Sequence, residues 1–412
     1  MRISSMQIYI TGVRNILNAQ ADVARTQEEI SVGKRVLTPA DDPAGATLAL
    51  GIGQELARSA QYQRNADLAE GDLQQQDLEL EAVENVLLQL QDLALQAGSP
   101  AVSEAELATI VAGIEQAGKQ LLSIFNARSS AYSDYLFAGF SGDTQPFVQS
   151  AAGRIDYAGD DGERRVTIGS GLEVQSRNNG RELFVDIPAA ANTFVTRIAA
   201  ANTGSGDISA GRIVDQAAYD AVYPDDLVVR FGVTPGTYQV DRIDRATGAL
   251  STVLPPQPYV DGEPLTITVA GAEVGIVGSP APGDEFVLEA SATQPLLLTV
   301  QRLADGLRNI PDTPAGAAER ARVVAEALKG IGQAQQSVTT SRASLGPRLN
   351  LLDDARAEQA ALDLINEEAL SDLVDLDYNE AASRLSYQTF VLEAAQQSLV
   401  KIANLSLFNF LR

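Results

Sequence analysis

Apolar residues recur every seven positions over long stretches of this chain. Leu73, Leu80, Leu87 and Ala94 form one row, interleaved with Gln76, Val83, Leu90 and Ala97. Gly98-Ser99-Pro100 interrupts it. Ser103, with Glu106 three residues on, then reads as a capping box opening another helix with Leu107, Ile114 and Leu121 alternating with Ile110, Ala117 and Ile124. Val324, Ile331, Val338, Leu345 and Leu352 repeat the spacing late in the chain. A seven-residue apolar repeat keeps one seam facing a partner, so the pattern predicts long antiparallel helices. Pro347 falls inside the last of them. A helix-interior proline removes one backbone hydrogen bond and crowds the carbonyl four residues back, at about 3 kcal/mol. A kink or local break is expected near Gly346-Pro347.

The extreme ends carry narrower stripes. Ile3, Ile10, Leu17 and Ala24 form one row and Met6 and Val13 a second; Leu385, Leu392 and Leu399 form a third, flanked by Ala395 and Ile402. Neither end can bury its stripe alone, and isolated helices of this kind are marginal in water. They need each other, a neighbouring molecule, or both. Residues 138–295 differ in texture, with most of the Gly and Pro and many Val, Thr and Tyr. Turn clusters at Gly159-Asp160-Asp161-Gly162, Asn178-Asn179-Gly180 and Thr247-Gly248 separate short alternating runs. Leu265, Ile267 and Val269 point one way and Thr266 and Thr268 the other; Phe286 and Leu288 alternate similarly. The fold class is mostly α, with long antiparallel helices formed by both termini and a central β-rich insert.

Composition narrows the chemistry. The 412 residues include no His and no Cys, which removes triads, thiol nucleophiles, disulfides and His- or Cys-based zinc sites. Thirty basic residues against 54 acidic leave a net charge of −24, which repels nucleic acid. No apolar run is long enough to span a bilayer. The first residues are amphipathic without a continuous apolar core, so a Sec-type signal is not expected. Residues 1–40 hold five basic and three acidic residues, leaving that end freer to pack against copies of itself. Asp156, Asp160, Asp161 and Glu163 do not follow a Ca²⁺-loop spacing and read as a solvated turn. Asp41 and Asp42 are adjacent and point apart, which suits no acid–base pair. Asp42 as N-cap with Pro43 at the first helical position explains them better. No catalytic residue, cofactor or metal site is expected, and the chain reads as no enzyme.

The stretch from Ile30 to Gly45 contains Gly33-Lys34-Arg35 followed by Pro39, Asp41, Asp42 and Pro43. It closely resembles the N-terminal signature of the flagellin superfamily. Leu373 to Ala381, with Asp377-Tyr378, is similar to that family's acidic lead-in to its last helix. Arg342 to Gly346 with Arg348-Leu349-Asn350 resembles the family motif on the long returning helix, with Pro347 as a departure. Tyr135 to Phe147 and the ending Leu405 to Phe408 are closer to the junction-forming branch than to filament flagellins.

The resemblance implies a structural subunit of the bacterial flagellum, exported unfolded through the flagellar type III channel and assembled between hook and filament. Residues 1–40 and 373–412 would be a terminal coiled-coil assembly domain, 41–137 and 296–372 a helical-rod domain, and 138–295 an outer insert. The assembly interface would comprise Ile3, Met6, Ile10, Val13, Leu17, Leu385, Leu392, Leu399 and Ile402. A cytosolic export chaperone would cover Leu392, Leu399 and Ile402. The other implied partners are copies of the chain, flagellin and the hook-side junction protein (hook-associated protein 1), with no nucleic acid and no membrane insertion. A filament flagellin carrying an insert is the alternative, and a displayed adhesive or carbohydrate-acting domain a more distant one.

Overall fold

The computed structural model describes residues 5–130, 132–232, 234, 236–310 and 313–410. Seven helices are present among them: α1 Ser5–Val32, α2 Pro43–Ala97, α3 Glu104–Phe125, α4 Gln216–Asp220, α5 Leu296–Asn309, α6 Pro314–Val374 and α7 Tyr378–Phe410. The chain divides into two compact units. One joins Met1–Arg64 to Asp354–Arg412, and the other is Asn65–Asp353.

In the second unit the heptad rows become the core. Leu73, Leu80, Leu87 and Ala94 are buried, as are Val83, Leu90 and Ala97 between them. Ile114 and Leu121 of α3 and Ile331 and Val338 of α6 are buried as well. Approach between helices is close. A Cβ on Gly306 of α5 would lie 2.8 Å from Val323 of α6, and one on Gly98 would lie 3.2 Å from Val324. Ser103 and Glu106 form the full capping box at the start of α3. Arg342 of α6 donates to Asp77 (2.8 Å) and Glu84 (2.6 Å) of α2, so the motif arginine fastens the antiparallel pair.

Of the kink or local break expected near Gly346-Pro347, the break does not occur: α6 runs without interruption from Pro314 to Val374. Pro347 and Ala343, whose carbonyl loses its partner, are both exposed, so that carbonyl is on the solvent side of the helix.

Among the described residues the insert holds four antiparallel sheets, two of them the small hairpins Phe147–Gln149 with Ile155–Tyr157 and Arg165–Gly169 with Leu172–Gln175, and two larger ones. Leu250–Pro258, Thr237–Ile243, Asp226–Phe231, Glu285–Thr293 and Pro188–Ile198 pair antiparallel in that order. The second sheet orders Leu265–Val269, Ala272–Val277 and Asp207–Ile208, with Arg212–Ile213 also on the middle strand. Phe194, Phe231, Phe286 and Val240 of the first sheet share one core with Ile267, Val274 and Ile276 of the second. The predicted alternation holds, with Ile267, Val269, Phe286 and Leu288 inside and Thr266 and Thr268 outside.

Asn178-Asn179-Gly180 is not a solvated turn between strands. Ser176 to Asn179 are buried, and the segment leads into a single π-helical turn, Arg181–Val185. The reason lies on α2, where Asp72 and Gln76 occupy inward positions and require polar partners. Arg177 donates to both Asp72 oxygens (2.8 and 3.0 Å) and to Asp134 (2.9 Å), and the Asn178 N–H reaches Gln76 Oε1 at 3.3 Å. Ser129 Oγ donates to Asp72 at 2.9 Å. Burial opposes the charge on Arg177, but its hydrogen bonds to Asp72 and Asp134 outweigh this and hold its proton affinity above the ordinary value.

Candidate assembly surface and terminal clasp

In the unit formed by the chain ends, α1 packs on α7. Along α1 the residues Ile16, Ala19, Val23, Thr26 and Ile30 recur at three- and four-residue steps and are shielded, Val23 and Thr26 fully. On α7 the matching row is Leu385, Gln388, Leu392, Ala395 and Leu399, all half-buried. A Cβ placed on Gly12 would lie 2.8 Å from Leu399 Cδ1, so the helices nearly touch there. Toward the end of α1 and the start of α7 the seam is polar. Thr26 Oγ1 donates to Gln388 Oε1 at 2.8 Å, and Arg384 donates to Glu29 at 2.8 Å. Arg25 reaches Glu29 at 3.3 Å and Asp41 at 2.7 Å.

The pairing leaves apolar side chains outside. Ile10 is 47% exposed and Leu17 59%, on the outward row of α1; Tyr387 and Phe390 of α7 are 69% and 68% exposed. Val13 is half-buried. Ile3 lies outside the described residues, as do the side chains of Met6 and Ile402. Ile10 and Leu17 are therefore brought to one free face, whereas Leu385, Leu392 and Leu399 line the seam. Thr26, Glu29, Arg384 and Gln388 were not singled out from the sequence. Their signal was present in the spacing, since Thr26 continues the Ile16, Ala19, Val23 row.

The two motifs quoted above, some 340 positions apart in the chain, meet. The Arg35 N–H donates to the Val374 carbonyl (2.8 Å), the Arg35 guanidinium to the Leu373 carbonyl (2.8 Å), and the Leu376 N–H to the Gly33 carbonyl (3.1 Å). Lys34 and Asp375 form an antiparallel bridge. This clasp gives partners to backbone groups that the ends of α1 and α6 would otherwise leave open. Its carboxylates are committed to the backbone. Asp42 Oδ1 accepts the Gly45 N–H at 2.9 Å and caps α2, which opens with Pro43. Asp377 Oδ1 accepts the Asn379 and Glu380 N–H groups and caps α7. Asp41 accepts from the Thr38 N–H and hydroxyl and from Arg25, while Pro39 lies in the exposed turn between. The Thr38 backbone hydrogen bond, reinforced by its hydroxyl and Arg25, holds the Asp41 carboxyl below the usual carboxylate range.

Gly33 sits at φ +76°, and a Cβ there would be 2.9 Å from the Tyr378 hydroxyl. Gly33→Ala therefore meets both left-handed strain and a collision, and should weaken the clasp by about 1–2 kcal/mol. Hydrogen exchange at residues 374–385 should accelerate about tenfold, with α3 unchanged; equal rates at both would refute the assignment.

Asp160, weighed above as part of an acidic turn, is a brace. Its carboxylate accepts the Phe140 and Gly162 N–H groups (both 2.8 Å) and the Ser141 hydroxyl (2.6 Å). Among the described residues no cluster of three or more acidic side chains is placed to hold a metal, and no helix is long and apolar enough to cross a membrane.

Comparison with known proteins agrees with these features. The bacterial flagellin N-terminal helical region matches residues 3–141 and the bacterial flagellin C-terminal helical region residues 328–411, together just over half of the chain. The flagellar hook-associated protein 3 of Escherichia coli K12 is 23% identical over 408 residues, 99% of each chain. Two crystal structures share the fold. One is the flagellar hook-associated protein-3 of Legionella pneumophila (27% identity, TM-score 0.52, covering 78% of this chain and 98% of that one). The other is Xanthomonas campestris FlgL (25% identity, TM-score 0.51, 78% and 99%). Both helical ends, the clasp that joins them and the full-length likeness have one explanation: the chain belongs to the flagellin family.

Proposed function

We propose that this chain is a non-catalytic structural subunit of the bacterial flagellum, forming the junction layer between hook and filament. One observation carries the reading: the α1–α7 pair closes on itself through a thin seam and still exposes Ile10, Leu17, Tyr387 and Phe390. Apolar side chains left in rows on paired helices are finished by burial against neighbours. Heterologous head-to-tail contacts between copies suit a layer in a tube. In this reading residues 1–40 and 373–412 form the assembly domain, 41–137 and 296–372 the helical rod, and 138–295 the outward insert. Leu392, Leu399 and Ile402 are a chaperone site in the cytosol, reached when α7 is not yet on α1. The chain then leaves unfolded through the flagellar export channel, and a seam this small costs little to open for threading.

The alternative, a filament flagellin with an insert, has less support, because the full-length likeness is to hook-associated protein 3. An order-of-addition experiment separates the two. Purified protein should add to hook ends already carrying hook-associated protein 1, stop after a short layer, and then let flagellin grow. Unlimited self-polymerisation in place of a short layer would favour the alternative, and failure to bind capped hooks would sink the proposal.

A further inference from the structure

We propose that Asp261 is a modification site: the Asp261-Gly262 peptide rearranges spontaneously to isoaspartate in the folded chain. The product is a substrate for carboxyl methylation by an S-adenosylmethionine-dependent repair enzyme. The inference rests on one turn of the insert and does not depend on what the chain assembles with.

The chemistry is that of a neighbouring nucleophile. The backbone nitrogen after an aspartate or asparagine attacks the side-chain carbonyl carbon, forming a C–N bond and a succinimide ring. An aspartic acid expels its hydroxyl, which leaves with the amide proton as water; an asparagine expels ammonia. Water then opens the ring, and attack at the main-chain carbonyl leaves the backbone running through the side chain. For aspartate the net change is an isomerisation that needs no oxidant or cofactor. A following glycine favours it, because no Cβ shields the attacking nitrogen.

Four dipeptides of this kind occur, at 161, 179, 261 and 305, and the structure closes three of them. Asn179-Gly180 is intrinsically the fastest. There the glycine N–H donates to the Phe137 carbonyl at 2.9 Å, and the buried Asn179 accepts the Glu182 N–H through Oδ1 at 2.9 Å. At Asp161-Gly162 the glycine N–H donates to Asp160 Oδ1 at 2.8 Å, and the Asp161 carboxylate pairs with Arg181. Asp305-Gly306 lies inside α5, whose ladder takes the glycine N–H.

Asp261-Gly262 differs. Both residues are exposed, in the turn between the strands Leu250–Pro258 and Leu265–Val269. Among the described residues neither the Asp261 carboxylate nor the Gly262 N–H has a hydrogen-bond partner. Ring closure requires the turn to open, and one long hydrogen bond spans it, from the Glu263 N–H to the Val260 carbonyl at 3.3 Å. A Cβ on Gly262 would meet only Ser279 Oγ, at 3.9 Å, so the peptide has room to swing.

The full chain is kept in mildly acidic buffer, folded in one sample and in urea in another, and then digested. Fragmentation that separates isoaspartyl from aspartyl linkages locates the product, and isoaspartyl methyltransferase with labelled S-adenosylmethionine confirms it as a substrate. In the folded chain isoaspartate at 261 should exceed that at 161, 179 and 305 by on the order of tenfold, because closed sites react only in their opened fraction. In urea Asn179 should overtake it. Asp261→Glu, whose side chain would have to close a larger ring, should remove the methyl label from that peptide. A rate at 261 no higher than at the closed sites of the folded chain would overturn the proposal, as would label persisting in the variant. Failure of Asn179 to take the lead in urea would overturn it too, since the fold would not then be what sets the order.

Discussion

Asp72→Ala should cost the unit Asn65–Asp353 about 3–5 kcal/mol, close to the whole stability margin of many domains. Asp72 and Arg177 are 2% and 4% exposed along their side chains, and the two N–H donors of Arg177 straddle the carboxylate. Removing the acid leaves a guanidinium in the interior with Asp134 as its remaining carboxylate, and takes away the acceptor at which the Ser129 hydroxyl points. The penalty is that of a buried guanidinium left with one carboxylate where it had two, not the worth of the pair. Asp72→Ala combined with Arg177→Met should therefore recover much of the loss, since neither charge then remains. The exposed pair Arg165–Glu163 supplies the control: Glu163→Ala should change stability by about 0–1 kcal/mol. Urea unfolding followed on all four proteins tests this. A loss for Asp72→Ala no larger than the control's would show that the interior network contributes nothing.

That network also marks where sequence reading stopped. Leu73, Leu80 and Leu87 announce their helix because a heptad is a local repeat, and Ser103 and Asp42 announce helix starts because a cap needs only three neighbours. The clustering of Gly and Pro between 138 and 295 marked the insert for the same reason. Asn178 and Asn179 look like turn residues in any window, and only the inward-facing Asp72 and Gln76, a hundred positions earlier, make them interior. Pro347 was weighed by its backbone cost alone, and the exposure of Ala343 and Pro347 decides that α6 continues. The clasp was present in two quoted motifs, yet their meeting runs through main-chain groups, joined by one bond from the Arg35 guanidinium to a carbonyl, and side-chain patterns do not encode it. On α1 the sequence showed apolar rows without saying which one faces α7; Thr26 and Glu29 settle it through partners more than 350 positions away.

Because the seam takes the row through Val23 and Thr26, the row through Ile10 and Leu17 is free for a neighbour, and charge placed there should stop assembly while sparing the monomer. Ile10→Glu with Leu17→Glu keeps good helix formers at both positions, so circular dichroism and α1 hydrogen exchange should stay as they were. Assembly pays differently. Ile10 and Leu17 are each about half exposed, so covering the remainder is worth roughly 1–1.5 kcal/mol per side chain. Burying a carboxylate in its place adds a further cost of at least about 1 kcal/mol. The sum over both side chains, about 4–5 kcal/mol per contact, corresponds to a rise of roughly a thousandfold or more in the concentration needed to add to a hook end. Leu392→Glu is the discriminating companion. It lies on the seam, so it should raise hydrogen exchange in α1 as well as impair assembly. If the Ile10 and Leu17 variant added to hook ends at the unaltered concentration, the free row of α1 would be no interface, and the exposed Tyr387 and Phe390 face of α7 would have to carry the contact alone.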